Sequence, residues 1–334
     1  MSQRFVRSSI VVILVLVVAG CGSSAQSGSS ASPSLSPSAS SSVVTSPSNA
    51  ALPSVGAAAQ TIDVPGGPLG LDVADGHAWV IATDGGQLVD VDLAAGTASP
   101  MEIGSSANWV KVLDDGRLVV SRYGPASGRA TLEILDGDEV IPVAQDPIEG
   151  LDVDAARIWG FVKGGTVLAV GLDGTITGQT HVEVTANEHM DLVTTGEAVF
   201  ASSDSTPVRR VSGDPPVVDL TIETGGGVPF VEDGGLVWGA RPDELWAIDP
   251  AADDVTRSFP LTDVIEVLDL DVEGDDAWIA VRHPGRIGAV IRLDLTTGEE
   301  TLDVPADLPA GVVIDGDRAW VTDYEAGAVL GFDR

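Results

Sequence analysis

Residues Val264–Val304 read VIEVLDLDVEGDDAWIAVRHPGRIGAVIRLDLTTGEETLDV, and this stretch decides the fold. Apolar and polar residues alternate in it over four short runs, which are Val267–Val272, Ala277–Arg282, Ala289–Leu293 and Glu300–Val304. Such alternation, rich in β-branched residues and bounded by Gly, Pro, Asp and Thr, predicts strands joined by turns. Four strands in about 40 residues are typical of one β-propeller blade.

The same unit recurs along the chain at a regular interval. The runs DGHAW (75–79), GDDAW (274–278) and GDRAW (316–320) each place a tryptophan in the second strand of a unit. The full column of equivalent positions is Trp79, Val119, Trp159, Val199, Trp238, Trp278 and Trp320. A spacing of about 40 residues throughout predicts an all-β, seven-bladed β-propeller of four-stranded blades. The indoles are interpreted as packing between blades, because a buried Trp supplies a large apolar area.

The last repeat is one strand short. It offers only Val312–Ile314, Ala319–Thr322 and Ala328–Phe332, whereas Thr61–Val64 at the other end of the domain belongs to no repeat. We therefore expect the N-terminal strand to lie beside the C-terminal one and to close the ring. Closure would remove the exposed edges that an open sheet presents.

The repeat resembles those of the YVTN-type and virginiamycin B lyase-like propellers. The resemblance rests on the Ala-Trp-Val/Ile strand, on the turns VDLAAG (91–96) and LDLTTG (293–298), and on the Pro/Gly start of each blade, and it covers residues 61–334. It implies the propeller fold. That family includes lyases, lactonase-like enzymes and pure binding proteins, so the resemblance leaves the function open.

The first 20 residues predict a lipoprotein signal peptide. Arg4 and Arg7 precede the apolar run Ile10–Val18, which is too short to span a bilayer. The run VAGC (18–21) resembles a bacterial lipobox, which implies cleavage before Cys21 and attachment of lipid to it. An ordinary signal peptide followed by an accidental cysteine is the alternative. Cys21 is the single cysteine, which excludes disulfides within the chain.

Residues 21–60 predict a disordered tether that follows the lipidated cysteine. The segment carries no charge and is rich in Ser, Ala and Pro, so it cannot bury enough apolar surface to fold. The domain organisation is therefore a signal peptide over 1–20, a tether over 21–60 and a propeller over 61–334. The expected location is the cell membrane, with a lipid anchor on the extracytoplasmic side.

Charge limits the choice of partners. The propeller region holds all 50 acidic residues of the chain and, with Arg4 and Arg7 in the leader, 15 of its 17 basic ones. An excess of this size opposes binding to nucleic acid and to anionic lipid. Association with the membrane is then expected through the lipid on Cys21 alone, and the protein is expected to be a monomer.

Candidate binding residues cluster on one face of the predicted ring. The loops between second and third strands share a face with the loops between blades, and they contain Arg122, Tyr123, Lys163, Arg282 and Tyr324. Residues just before each first strand should lie nearest the axis on that face. The candidates for ligand binding are Asn108, Trp109, Arg122, Tyr123, Glu149 and Arg282. The alternative is that these side chains only solvate the mouth of the channel.

Two functions remain open at this point. The first is a membrane-tethered, non-enzymatic module that binds a small ligand or a protein on the mouth face. The second is an extracytoplasmic lyase or lactone hydrolase, with Glu188 and His189 as acid and base. A divalent cation is a possible cofactor, with Glu149, Glu188 and Asp269 as candidate ligands. The chain has no Gly-x-Ser-x-Gly elbow, no Gly-x-x-x-x-Gly-Lys loop and no paired His spacing, so the first function is favoured.

Overall fold

A computed structural model describes residues 58–124, 128–185, 188–196, 198–285 and 288–334. The predicted signal peptide, Cys21 and nearly all of the predicted tether lie outside these residues, as does Arg286. Within them every regular element is a β-strand. No helix in this part of the chain is long and apolar enough to cross a membrane.

The strands form seven antiparallel sheets of four strands each, which confirms the predicted seven-bladed propeller. Strand β1 (Gln60–Asp63) stands apart from the repeats that follow it. Blade 1 contains β2 (Pro68–Ala74), β3 (His77–Ala82), β4 (Gln87–Asp92) and β5 (Thr97–Glu102). Blade 2 contains β6 (Ala107–Val112), β7 (Leu118–Arg122), β8 (Leu132–Asp136) and β9 (Glu139–Ala144). Blade 3 contains β10 (Ile148–Val153), β11 (Arg157–Val162), β12 (Thr166–Gly171) and β13 (Ile176–His181).

The remaining blades follow the same order. Blade 4 contains β14 (Met190–Thr194), β15 (Ala198–Ser203), β16 (Val208–Ser212) and β17 (Val217–Ile222). Blade 5 contains β18 (Phe230–Asp233), β19 (Leu236–Arg241), β20 (Glu244–Asp249) and β21 (Asp254–Pro260). Blade 6 contains β22 (Glu266–Glu273), β23 (Asp276–Arg282), β24 (Gly288–Asp294) and β25 (Glu300–Ala306). Blade 7 contains β26 (Pro309–Asp315), β27 (Arg318–Asp323) and β28 (Ala328–Asp333), with β1 as its outer strand.

The ring closes through β1, as the sequence predicts. Strand β1 pairs antiparallel with β28 in the register Gln60↔Gly331 to Asp63↔Ala328. The side chain of Gln60 also donates to the Leu93 carbonyl of blade 1 at 2.9 Å. Ile62 and Val64 are buried in a cluster that contains Leu71 of blade 1 and Trp320 of blade 7. The N-terminal strand therefore completes one blade and seals it against the next.

Apolar residues between neighbouring blades form the core. The buried side chains group into seven clusters, and each cluster joins two adjacent blades. Trp278 is fully buried between blades 6 and 7, where its ring lies 5.7 Å from that of Phe332. Trp159, Trp238 and Trp320 are also buried at such interfaces. The tryptophan column is packing, as predicted, although Trp79 is only partly buried.

Blade 4 departs by one residue from the predicted column. Val199 packs into the cluster shared with blade 3, whereas Phe200 packs into the cluster shared with blade 5. Phe200 pairs with Val193, as Trp79 pairs with Asp72 in blade 1. Because side chains alternate between the two faces of a strand, Phe200 is the residue equivalent to the tryptophans.

Glycine makes the tight geometry possible at two kinds of position. Gly274 turns the chain between β22 and β23 with φ of 66°, a conformation that L side chains rarely adopt. Gly70 lies at the axis, where an added Cβ would stand 2.3 Å from the Asn108 carbonyl oxygen of the next blade. Only a residue without a side chain lets the inner strands approach so closely.

Candidate functional site

The first residues of the inner strands surround a concave cavity on the predicted mouth face. This cavity, the mouth bowl, has a volume of about 380 Å³. Most of its wall is apolar. The apolar lining residues are Leu69, Met190, Val228, Pro229, Val267, Leu268, Leu308, Pro309 and Ala310. Concave, mainly apolar cavities of this size are typical sites for small molecules.

Five of the residues singled out from the sequence line the mouth bowl. They are Trp109, Tyr123, Glu149, His189 and Arg282. Tyr324, from the same set of loops, also contributes to the wall. The indole Nε1 of Trp109 donates to the Glu149 carbonyl oxygen of blade 3 at 2.6 Å, which fixes the ring at the mouth. Burial, as the largest cause, and the nearby carboxylate of Glu149 raise the pKa of Tyr123.

Charged groups at the mouth are paired with one another. Lys163 Nζ lies 2.9 Å from Glu149 Oε1, and Arg282 Nη1 lies 2.8 Å from Glu266 Oε2. His189 Nδ1 lies 3.7 Å from Asp204 Oδ2. The first two pairs are each neutral in sum, so among the described residues the apolar wall and the cavity below it set the character of the bowl.

Asn108 and Arg122 do not line the mouth bowl. The Asn108 amide is fully buried, donates to the Ile148 carbonyl at 3.1 Å and accepts from Ser121 Oγ at 2.9 Å. It connects blade 2 to blade 3 rather than facing a ligand. Asn108 and the adjacent Trp109 both donate to backbone carbonyls of blade 3, and the register of β6 against β7 shifts between Ala107 and Val110. Regular alternation therefore does not hold at this point, and the sequence could not show that only Trp109 lines the bowl.

Arg122 is entirely buried, contrary to the expectation of a surface cation at the mouth. Its guanidinium Nη1 lies 3.0 Å from Glu133 Oε2, and its Nη2 donates to the Ile103 carbonyl at 2.7 Å. Glu133 is buried too, and the Ala130 N–H donates to its Oε1 at 3.0 Å. The pair fastens blade 2 to the segment that leaves blade 1, and breaking such a buried pair is strongly destabilising.

The candidate metal ligands are not brought together. Glu188 accepts hydrogen bonds from the hydroxyl groups of Ser203, at 2.6 Å, and Ser205. Burial opposes ionisation of Glu188, but these hydrogen bonds outweigh it and lower its pKa. Glu149 is held by Lys163, and Asp269 lies in a different cavity. Across the part of the chain that the structure describes, no three His, Cys, Asp or Glu residues form a group that could hold a metal ion.

A second cavity lies beneath the bowl, along the axis of the ring. This axial channel has a volume of about 350 Å³, and its charged lining comprises Asp72, Asp152, Asp191, Glu232, Asp269 and Asp271 together with Lys111. The amine Nζ of Lys111 lies 3.5 Å from Asp152 Oδ1. Burial opposes the charge of Lys111, but the aspartates around it outweigh that effect and raise its pKa.

The channel aspartates also join neighbouring inner strands. The Val112 N–H donates to Asp72 Oδ2 at 2.7 Å, and the Phe230 N–H donates to Asp191 Oδ2 at 2.9 Å. Equivalent bonds run from the Val312 N–H to Asp269 at 2.7 Å and from the Ile314 N–H to Asp271 at 2.6 Å. Sequence reasoning missed this ring, although the repeated Leu-Asp-Val of the inner strands at 71–73, 151–153 and 270–272 is a signal for it.

Burial of these carboxyls in the channel raises their pKa values. Burial is the main cause in each case, and it raises the pKa of Asp269 to about 8, of Asp191 to about 7 and of Asp271 to about 6. Hydrogen bonds from backbone N–H groups oppose this shift without cancelling it. The channel therefore carries fewer negative charges near neutral pH than its composition suggests.

Comparison with known proteins adds the fold and nothing further. No protein-family model matches the chain, and no curated protein matches it. Among solved structures, a chain in the crystal structure of a mitotic checkpoint complex matches with a TM-score of 0.68 at 11% sequence identity. The match covers 83% of this chain and 95% of that one. At so low an identity the likeness supports the propeller architecture and carries no function.

The raised pKa values predict that the fold loses stability as pH rises. A carboxyl whose pKa is higher in the folded state favours folding when protonated, and this contribution is lost as pH rises through the folded-state pKa values of about 6 to 8. The urea midpoint of unfolding should therefore be higher at about pH 5 than at about pH 9.

Asp269→Asn should reduce this pH dependence, because the amide oxygen still accepts the Val312 N–H while the charge is removed. Asp275→Asn, at an exposed turn on the opposite face, is the control and should leave the pH dependence unchanged. Exposed carboxyls with lowered pKa values, such as Asp115 and Asp294, make the fold more stable as pH rises, but they titrate below the range from pH 5 to pH 9. A midpoint that rises steadily from pH 5 to pH 9 would contradict the assignment.

Proposed function

We propose that this protein is a lipid-anchored, extracytoplasmic binding module whose propeller takes a small apolar ligand in the mouth bowl. The observation that carries the proposal is the bowl itself: a cavity of about 380 Å³ with an apolar wall, centred on the axis of the ring. Its volume falls within the range of roughly 300–1,000 Å³ that small-molecule sites occupy. A protein partner on the same face is the alternative, and it stays a prediction.

The arrangement supports binding better than catalysis. The enzyme hypothesis needs a free carboxylate on Glu188 beside His189, but the Glu188 carboxylate accepts from two serine hydroxyls and from the Ser205 N–H at 3.3 Å. A lowered pKa also makes Glu188 a poor proton donor near neutral pH. The bowl offers instead a fixed indole, apolar side chains and paired charges, which recognise a ligand by its shape.

The membrane anchor is proposed from the sequence. The basic start at Arg4 and Arg7, the apolar run Ile10–Val18 and Cys21 at the end of the lipobox-like stretch support a lipid on that cysteine. The uncharged tether between Cys21 and the propeller would hold the propeller away from the bilayer. The mouth face could then reach a ligand that is not in the membrane. Anchoring by lipid agrees with the acidity of the propeller, which opposes direct contact with an anionic membrane.

The bowl is tested by filling it. Leu268→Trp adds bulk to the wall and should weaken binding of a neutral aromatic probe, 2-phenylethanol, at least about tenfold in ligand-observed NMR titrations. Ile265→Trp is the matched control, since Ile265 is exposed and lies outside the bowl lining. It should bind as the unchanged protein does. Equal binding by both variants would move the ligand site elsewhere. If the unchanged protein bound neither this probe nor a charged analogue of the same shape, the protein partner would be favoured.

The anchor is tested by removing the thiol. Cys21→Ser should move the protein from the membrane fraction to the soluble fraction of the cell, because Cys21 is the only cysteine and its thiol is the proposed site of the lipid. Ser29→Ala, in the same segment, should stay in the membrane fraction. Retention of Cys21→Ser in the membrane after cleavage of the signal peptide would contradict the lipid anchor.

A further inference from the structure

The mouth bowl and the axial channel meet at two side chains. Trp109 and Asp191 line both cavities, so together they form the floor of the bowl. Trp109 is fixed by its hydrogen bond to the Glu149 carbonyl at 2.6 Å. Asp191 is fixed by the N–H of Phe230 at 2.9 Å. A ligand that reaches the floor therefore meets an aromatic ring and a carboxyl group in fixed positions.

The wall above this floor suits an apolar body. Leu69, Leu268 and Leu308 contribute aliphatic surface, and Tyr123 and Tyr324 add aromatic rings to that of Trp109. Aromatic faces also attract cations, through the negative charge that the π-system carries on its face. Among the residues that the structure describes, Lys163 and Arg282 on the rim are each paired with a carboxylate, at 2.9 and 2.8 Å, so neither favours an anionic ligand.

The charge below the floor is one-sided. Among the described residues, six carboxyl groups line the axial channel, and Lys111 is the one cation that lies with them. Low-dielectric walls focus such a field along the axis toward the opening. Even with some carboxyls protonated, the potential at the floor favours a cation over a neutral ligand and a neutral ligand over an anion.

We propose that the mouth bowl selects a small apolar or aromatic ammonium ion, with its body against the wall and its positive charge against the Asp191 carboxylate at the floor. This inference rests on the proposed small-molecule function and adds the chemical class of the ligand. A bare metal ion does not fit the same place, since among the described residues no three possible metal ligands converge and the wall offers it no oxygen shell.

Titration of Asp191 supplies a second signature of the same contact. Burial raises its pKa to about 7, so part of the population is protonated at neutral pH. An ammonium ion favours the ionised carboxyl, so the amine should bind more tightly as pH rises from about 6 to about 8. The titratable groups that share a cavity with Asp191 are Tyr123, Glu149, His189, Glu266, Arg282 and Tyr324 in the bowl, and Asp72, Lys111, Asp152, Glu232, Asp269 and Asp271 in the channel.

These neighbours shape the expected pH profile. Lys111 stays protonated at every pH at which the amine would be tested, because the aspartates around it raise its pKa. Its charge therefore does not change across the profile. Asp269 and Asp271 ionise over the same range and add negative charge, so they increase the preference for the amine in the same direction. The profile is therefore that of the channel as a whole, and a substitution is needed to isolate Asp191.

Three ligands of one shape test the charge preference with the full-length chain. They are 2-phenylethylamine, 2-phenylethanol and 3-phenylpropanoate, which differ mainly in the charge at the end of a common apolar body. At about pH 8 the amine should bind about tenfold more tightly than the alcohol, and the alcohol more tightly than the carboxylate. Isothermal titration in two buffers of different ionisation enthalpy should also show release of a proton when the amine binds at pH 7.

Asp191→Asn isolates the contact at the floor. Asparagine keeps an oxygen that accepts the Phe230 N–H, so the fold should persist while the charge is removed. Binding of the amine should weaken about tenfold, its pH dependence should shrink, and binding of the alcohol should change less than about twofold. Asp275→Asn, on the opposite face and outside both cavities, removes one charge and should change none of these values.

The outcomes separate this inference from the proposed function. If the unchanged protein prefers the amine and Asp191→Asn removes that preference, the result supports Asp191 as the contact for the ammonium group. This holds whether or not the alcohol binds measurably. An amine that binds no better than the alcohol overturns it, and so does a preference that Asp191→Asn leaves intact. In those two cases the alcohol decides what remains. If the alcohol binds and Leu268→Trp abolishes that binding, the bowl is a site for neutral ligands. If the alcohol does not bind, the small-molecule function is removed as well.

Discussion

The apolar contact between neighbouring blades is the interaction on which the rest of the structure depends. A single four-stranded sheet exposes two faces, and its own residues cannot cover them. Here each of the seven core clusters is shared by two blades, so every blade is stabilised by the next. The large side chains at these interfaces, such as Trp278 and Phe200, are buried only because another blade covers them. Such an arrangement is complete only when the seventh blade meets the first.

The candidate site is a consequence of this packing. Drawing the blades together brings the inner strands so close that Gly70 has no room for a side chain. The strands then enclose two cavities of opposite character, an apolar bowl at their first residues and an acidic channel along their length. Hydrogen bonds from backbone N–H groups to Asp72, Asp191 and Asp269 hold adjacent inner strands together across the blade boundaries. The carboxyls that give the channel its charge are therefore also part of its structure.

Periodicity in the sequence predicted the features that repeat. The Trp column, the number of blades, the shared mouth face and the closing strand all follow from a repeat of about 40 residues and an alternation of two. The one-residue error at Val199 arose because blade 4 has no tryptophan to mark the column, although Phe200 follows Gly196 by four positions, as Trp278 follows Gly274. At that point the alternation alone could not distinguish Val199 from Phe200.

Long-range contacts account for what the sequence did not predict. Arg122 has the chemistry of a ligand-binding residue, and its burial depends on Glu133, which lies on the next strand of the same blade. Likewise, the serines that hold Glu188 follow it by 15 and 17 positions, at the end of β15 and just beyond it. Trp109, Glu149 and Arg282 reach the bowl because they stand where strands begin or end on the mouth face, which a repeat does define.

Two deletions test whether β1 closes the ring. Removing residues 22–59 leaves β1 intact, whereas removing 22–65 also takes away the partner of β28 and the buried side chains of Ile62 and Val64. Thermal unfolding of the two proteins is the measurement. The longer deletion should lower the melting temperature clearly, since it exposes both the edge of blade 7 and the cluster shared with blade 1. Equal melting temperatures would contradict closure by the N-terminal strand.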